Sequence, residues 1–392
     1  MPSRPNPYTP GAGDPPRALV GRDDQLSLAN TVRTQLEAGY AANCLLFTGL
    51  RGVGKTVLLK EVRNRFLTRG WLATYVQIRP SIPVDRAFAE VALRVSGQMT
   101  AGARLARALK SLAKRGGGLQ VMGQGATIGA AGGSVDGYRE LTEILGKLGQ
   151  AAREDGVGVA LIIDELQALK NAPLGDLMNT VFTLRDEIPL AFVGCGLPYL
   201  PAKISKATTS TERLRYEPTD FLVELDARRA VVEPARADGV DWDNTALDRV
   251  VELAQGYPYF LQLYASEAWT AANERGEFSL ITPDDVRAAV PAVGRQLDIG
   301  LYGSRFGKLG PNQREYVYAM EHLMRLRSQH PTRTVRSGDV ARHLGKNLTQ
   351  VSPVRDGLLR AGMIHSPAHG ELEFSVPGFA EYLARRQETE GV

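Results

Sequence analysis

Apolar positions in this chain follow two patterns, unbroken runs and stripes spaced three and four residues apart. Cys44-Leu45-Leu46-Phe47 and Val157-Gly158-Val159-Ala160-Leu161-Ile162-Ile163 are continuous runs, as expected of strands covered by helices on both faces. Residues 71–78 alternate as a strand, and Leu190-Ala191-Phe192-Val193 forms a further one. Helical stripes lie between them: Leu26, Leu28, Val32 and Leu36 after the acidic pair Asp23 and Asp24, then 57–62, 84–95, 138–154 and 174–186. Strands alternating with helices predict an α/β fold with a parallel sheet.

The pattern changes at four places. Residues 1–17 hold Pro2, Pro5, Pro7, Pro10, Pro15 and Pro16 and are expected to be a disordered lead. Within residues 100–137, the basic run Arg104, Arg107, Lys110, Lys114 and Arg115 arrives with no acidic residue among them, then a run of glycines follows. These residues read as an insertion in the 18–224 core, holding either a small hairpin or a mobile loop. Residues 225–300 read as helices, with Thr282 as an N-cap before Pro283, Asp284 and Asp285, and suggest a helical lid. Residues 305–392 read as helix, helix-turn-helix and a two-stranded hairpin around Ala368-His369-Gly370, the order of a winged helix.

Composition narrows the class. The 392 residues are 43% hydrophobic and 23% charged, enough for two or three domains of ordinary composition. Cys44 and Cys195 are too few for a disulfide scaffold or a zinc site, which points to a reducing cytoplasm. No apolar run reaches the length of a membrane span, so no membrane partner is expected. The net charge of +4 is mild, but residues 305–392 carry 13 Lys or Arg against 9 Asp or Glu, a surplus equal to that of the whole chain.

The strongest chemical signal follows the first apolar run. Gly49-Leu50-Arg51-Gly52-Val53-Gly54-Lys55-Thr56 has the spacing of a P-loop between a buried strand and an amphipathic helix. Glycines let the backbone wrap a phosphate before a helix N-terminus. Lys55 is placed for the β- and γ-phosphates of ATP and the Thr56 hydroxyl for Mg²⁺. The run ending in Asp164 and Glu165 has the Walker B form: Asp164 belongs to the Mg²⁺ shell, and Glu165 orients and deprotonates the attacking water. Cys195, after the next strand, occupies the place of a γ-phosphate sensor. Residues 202–215 hold Lys203, Lys206, Arg213 and Arg215. Two readings stay open there: Arg213 as an arginine that neutralises transition-state charge in cis or across a subunit boundary, or a solvated basic surface.

Val20-Gly21-Arg22, the P-loop, the Walker B run, 193–197 and Gly256-Tyr257-Pro258 occur in an order that resembles AAA+-like ATPases of the origin-recognition and STAND branch, over 19–293. The resemblance implies a P-loop NTPase (AAA+-like) core with a helical lid. It also implies that Val20, Gly21, Arg22 and Pro258 contact the adenine side of ATP. In the DNA-binding use of a winged helix, Thr349, Gln350, Ser352 and Arg355 would face the major groove and Lys346 a phosphate. The resulting expectation is a nucleotide-controlled switch with double-stranded DNA as partner. The alternative is a STAND-like signalling or defence ATPase that assembles as a homo-oligomer or contacts a protein partner through the winged helix.

Overall fold

The computed structural model describes residues 4–79, 137–276, 278–326 and 333–390. Most of the 100–137 insertion, its hairpin and the 84–95 helix lie outside the described residues. The chain divides into two compact units. One comprises Arg22–Gly49 and Lys55–Thr219, the other Met1–Gly21, Leu50–Gly54 and Asp220–Val392.

The first unit is built on a wholly parallel sheet of β1 (Cys44–Thr48), β2 (Leu72–Gln77), β3 (Val159–Asp164), β4 (Leu190–Gly196) and β5 (Leu214–Pro218), in the order β2-β3-β4-β1-β5. Every residue of β3 and β4 is buried, which explains why both read as continuous apolar runs. Helices Asp23–Glu37, Lys55–Thr68, Gly137–Glu154 and Asn171–Leu184 belong to the same unit. Leu161, Ile163 and Phe192 from the sheet share a core with Leu148, Leu177, Met178 and Val181 from the helices. β5 falls partly in the polar segment. It is an edge strand, so it tolerates Arg215, Glu217 and a terminal Pro218. Because the sheet is parallel, all five carboxyl ends share one edge, the place where such folds present ligand-binding groups.

The second unit begins its helical part with Glu224–Arg236, Asn244–Ala254, Pro258–Arg275 and Pro283–Gln296. The Thr282 cap forms as a capping box with Asp285. Helix Pro283–Gln296 continues through a π-helical segment, Leu297–Gly303, into Ser304–Gly307. After it come helix Pro311–Leu326, β6 (Val335–Arg336), helices Ser337–His343 and Leu348–Ala361, β7 (Ile364–His365), β8 (Glu371–Phe374) and helix Phe379–Glu390. β6, β8 and β7 form one small antiparallel sheet. One apolar core runs from Trp242 and Trp269 through Tyr302 and Phe306 to Leu358 and Leu383.

The leading segment is also different from the expectation. Residues 4–17 form no helix or strand, yet they are ordered against the helices of their own unit. Tyr8 is 4% exposed, its hydroxyl donates to the Val231 carbonyl at 2.6 Å, and its ring meets Trp242 and Trp269 edge-on. Proline content excludes regular structure without excluding packing, and one buried aromatic anchors the extended segment.

Candidate active site

β1 ends at Thr48, and the Gly49 N–H donates to the Gly196 carbonyl at 3.2 Å, which ties the start of the P-loop to the end of β4. Gly52 and Gly54 have φ of +85° and +93°, left-handed values that explain glycine at both turns. Helix Lys55–Thr68 follows at once, so its first N–H groups lack intrahelical acceptors and its positive dipole end faces the loop. Lys55 is 7% exposed, and its ammonium donates to the Gly49 carbonyl at 2.8 Å.

Asp164, at the end of β3 and 1% exposed, gathers four donors. Oδ2 accepts from the Thr56 hydroxyl at 2.7 Å and the Tyr75 hydroxyl at 2.9 Å. Oδ1 accepts from Cys195 Sγ and from the Glu165 N–H, both at 2.8 Å. The sheet order explains the cluster, since β2 and β4 flank β3 and deliver Tyr75 and Cys195 from opposite sides. Burial, together with the Asp164 charge, pushes the Cys195 thiol well above its ordinary range, so it stays protonated and donates. Cys195 therefore lies inside β4, not in a turn after it, and donates to Asp164.

Glu165 adopts φ +60°, a left-handed backbone that costs a non-glycine residue energy and is common at active sites. Its carboxylate accepts from Gln167 Nε2. Gln167 is buried in the single 3₁₀ turn Leu166–Ala168; its Oε1 accepts from the Leu197 N–H at 3.2 Å, and its backbone carbonyl accepts from Lys203 Nζ at 2.7 Å. Sequence reasoning missed both Tyr75 and Gln167. The signal for Gln167 is a lone amide among Leu166, Ala168 and Leu169, directly after the acidic pair. Tyr75 has no signal until the strand order is known.

Arg213 is placed differently from its cis reading. Leu214 pairs with Cys44, the first residue of β1, whereas the P-loop leaves the last, so Arg213 sits at the amino edge of the sheet. At about 3.3 Å per residue the strand separates the two edges by more than 10 Å. Arg213 instead donates to the Phe182 carbonyl at 3.2 Å, lies over the Phe182 ring and faces Asp186 at 3.8 Å.

In the second unit Val20 is a core residue, Gly21 has φ +66° and Pro258 opens its helix at the first turn. Arg22, buried, belongs to the first unit. The P-loop apex, Leu50–Gly54, groups with the second unit, where the Tyr257 hydroxyl donates to the Arg51 carbonyl at 2.8 Å. A Cβ on Gly52 would lie 1.9 Å from that hydroxyl oxygen. The sequence identified the neighbouring Pro258 and missed Tyr257.

The groove-facing candidates of the C-terminal module are largely engaged within the chain. Gln350 closes a capping box with Asn347, Ser352 donates to the Leu348 carbonyl at 2.7 Å, Arg355 pairs with Asp356 at 3.0 Å and Lys346 pairs with Glu315 at 2.7 Å. Thr349 is exposed.

The donor set fits a nucleotide with Mg²⁺. Glycines at left-handed φ, a buried ammonium and a helix start suit phosphate, and a hydroxyl beside a carboxylate suits a hard cation that keeps water and phosphate ligands. Among the described residues no group of three or more His, Cys, Asp or Glu could hold a metal by itself, and no helix is long and apolar enough to cross a membrane.

Residues 18–193 match the family described as AAA ATPase domain, and residues 299–383 match a domain of unknown function (DUF8462). A comparison with curated proteins finds no match. Among solved structures the chain is similar to the Walker-type ATPase PABY2304 of Pyrococcus abyssi, with 14% identity, 93% of this chain and 96% of that one covered, and a TM-score of 0.59. It is also similar to Cdc6p from Pyrobaculum aerophilum, at 14% identity, 97% of both chains and a TM-score of 0.47. The Orc1 protein of Aeropyrum pernix in complex with DNA gives 16% identity, 96% and 95% coverage and a TM-score of 0.47. The likeness to the Pyrococcus protein is one of fold.

Proposed function

We propose that this chain, whose residues 18–193 match the AAA ATPase domain family, binds ATP with Mg²⁺, hydrolyses it, and uses the nucleotide state to control a C-terminal winged helix that binds double-stranded DNA. The observation that carries the nucleotide part is the Thr56 hydroxyl at 2.7 Å from Asp164, with Lys55 on the preceding residue of the same helix. Thr56 and Asp164 would hold Mg²⁺, which would supply charge neutralisation at the phosphates. The P-loop N–H groups and Lys55 bind the phosphate oxygens. Glu165 takes the proton of the attacking water, while Tyr75 and Cys195 keep Asp164 oriented.

The DNA part rests on the charge surplus of 305–392 and on the order of elements in that module. One observation favours the second reading, in which the module contacts protein: Lys346, Gln350, Ser352 and Arg355 all have partners within the chain. Two measurements on purified full-length protein test the proposal. Lys55→Ala should weaken ATP binding, whereas Glu165→Gln should keep it and slow turnover by about a hundredfold or more. Labelled duplex should bind with an affinity that differs between ATP, ADP and no nucleotide. Absence of binding in all three states at low salt removes the DNA arm in favour of the protein-contact reading.

A further inference from the structure

The hydrolytic reading assigns Glu165 a chemical role and leaves its neighbours without one. Glu165 holds a strained left-handed backbone, and its carboxylate is bonded to Gln167. That amide is used on both sides. Nε2 donates to Glu165, while Oε1 accepts from the Leu197 N–H just beyond β4. The same turn is secured a second time, by Lys203 Nζ on the Gln167 carbonyl at 2.7 Å.

The surroundings are shaped for this side chain. A Cβ on Gly196 would stand 2.6 Å from Gln167 Oε1, so the last residue of β4 is a glycine where the amide passes. Gln167 is buried, and a buried amide that lost either partner would leave a polar group unpaired. Its place is therefore determined by the 196–203 segment, and it in turn determines where the Glu165 carboxylate stands.

We propose that Gln167 is the positioning residue of the catalytic glutamate, linking the segment after β4 to Glu165 so that the placement of that segment sets the placement of the base. The inference rests on the hydrolytic role of Glu165. It concerns position, on the scale where a misplacement of about 1 Å costs about a hundredfold in rate.

Gln167→Glu is the informative variant. It keeps the volume and the acceptor for Leu197, but it cannot donate to Glu165 and sets a like charge beside it. Gly196→Ala is a second variant, whose Cβ would press on Gln167 Oε1 and on Leu200. With the full chain, kcat for ATP should fall by about ten- to a hundredfold in both, while the ATP dissociation constant stays near that of the wild type. In a Glu165→Gln background neither change should lower the residual rate further, because the group being positioned is already gone. Wild-type kcat in Gln167→Glu, or an equal loss with and without Glu165, overturns the inference alone. A wild-type turnover unaffected by Glu165→Gln overturns the hydrolytic reading and this inference with it.

Discussion

The Thr56 hydroxyl donates to Asp164 Oδ2 across 2.7 Å, although 107 residues lie between them in the chain. Thr56 is the second residue of the helix after β1 and Asp164 the last of β3, and the parallel sheet brings their ends to one edge. A hydroxyl and a carboxylate in contact form a hard-oxygen pair suited to Mg²⁺. Thr56→Ala should therefore weaken ATP binding measured with Mg²⁺ and leave binding measured in a chelator unchanged. Equal losses in both conditions would assign Thr56 to the phosphate cradle and not to the metal.

Cys44 opens β1, and burial pushes its thiol from an ordinary 9.0 up to about 12. The neutral thiol is favoured in the fold, so its contribution is complete below about pH 9 and is lost as pH rises toward 12. Above pH 9 the unfolded chain binds fewer protons at this group than the native one, and stability falls. Urea unfolding at pH 8 and pH 10.5 should show a smaller loss for Cys44→Ala than for the wild type.

Tyr8 fixes the leading segment by a hydroxyl that donates to Val231 at 2.6 Å and accepts from Trp242 Nε1 at 3.0 Å. Replacement by alanine removes a buried ring and leaves the indole N–H unpaired. A cost of about 3 to 5 kcal/mol is expected for the second unit, readable by urea unfolding followed through the fluorescence of Trp242 and Trp269. A loss below about 1 kcal/mol would make the segment an accessory strap.

Lys346 must leave Glu315, 2.7 Å away, before it can meet a DNA phosphate. If the C-terminal module binds duplex, Glu315→Gln should raise affinity for all sequences, and Lys346→Ala should lower it and reduce the salt slope by about one. Arg355→Ala should relax sequence preference by about 1 to 3 kcal/mol. Opposite signs for Glu315→Gln and Lys346→Ala are the diagnostic outcome in a titration at two salt concentrations.

Sequence alone determined the elements whose causes are local. The runs at 44–47 and 159–163 are strands because residues buried on both faces must be apolar at every position, and 49–56 is a phosphate loop because only glycines permit its turns. Tertiary structure decided what depends on neighbours across the sheet. Strand order β2-β3-β4 brings Tyr75 and Cys195 to Asp164, so the cysteine expected near the γ-phosphate donates to the aspartate. Parallel register moves Arg213 to the edge away from the P-loop, and a single tyrosine packs a proline-rich lead that has no periodicity of its own. Periodicity reports which face of an element is buried, but it carries no record of which element does the burying. The partners of Asp164 and Glu165 therefore become visible only once the strands are paired.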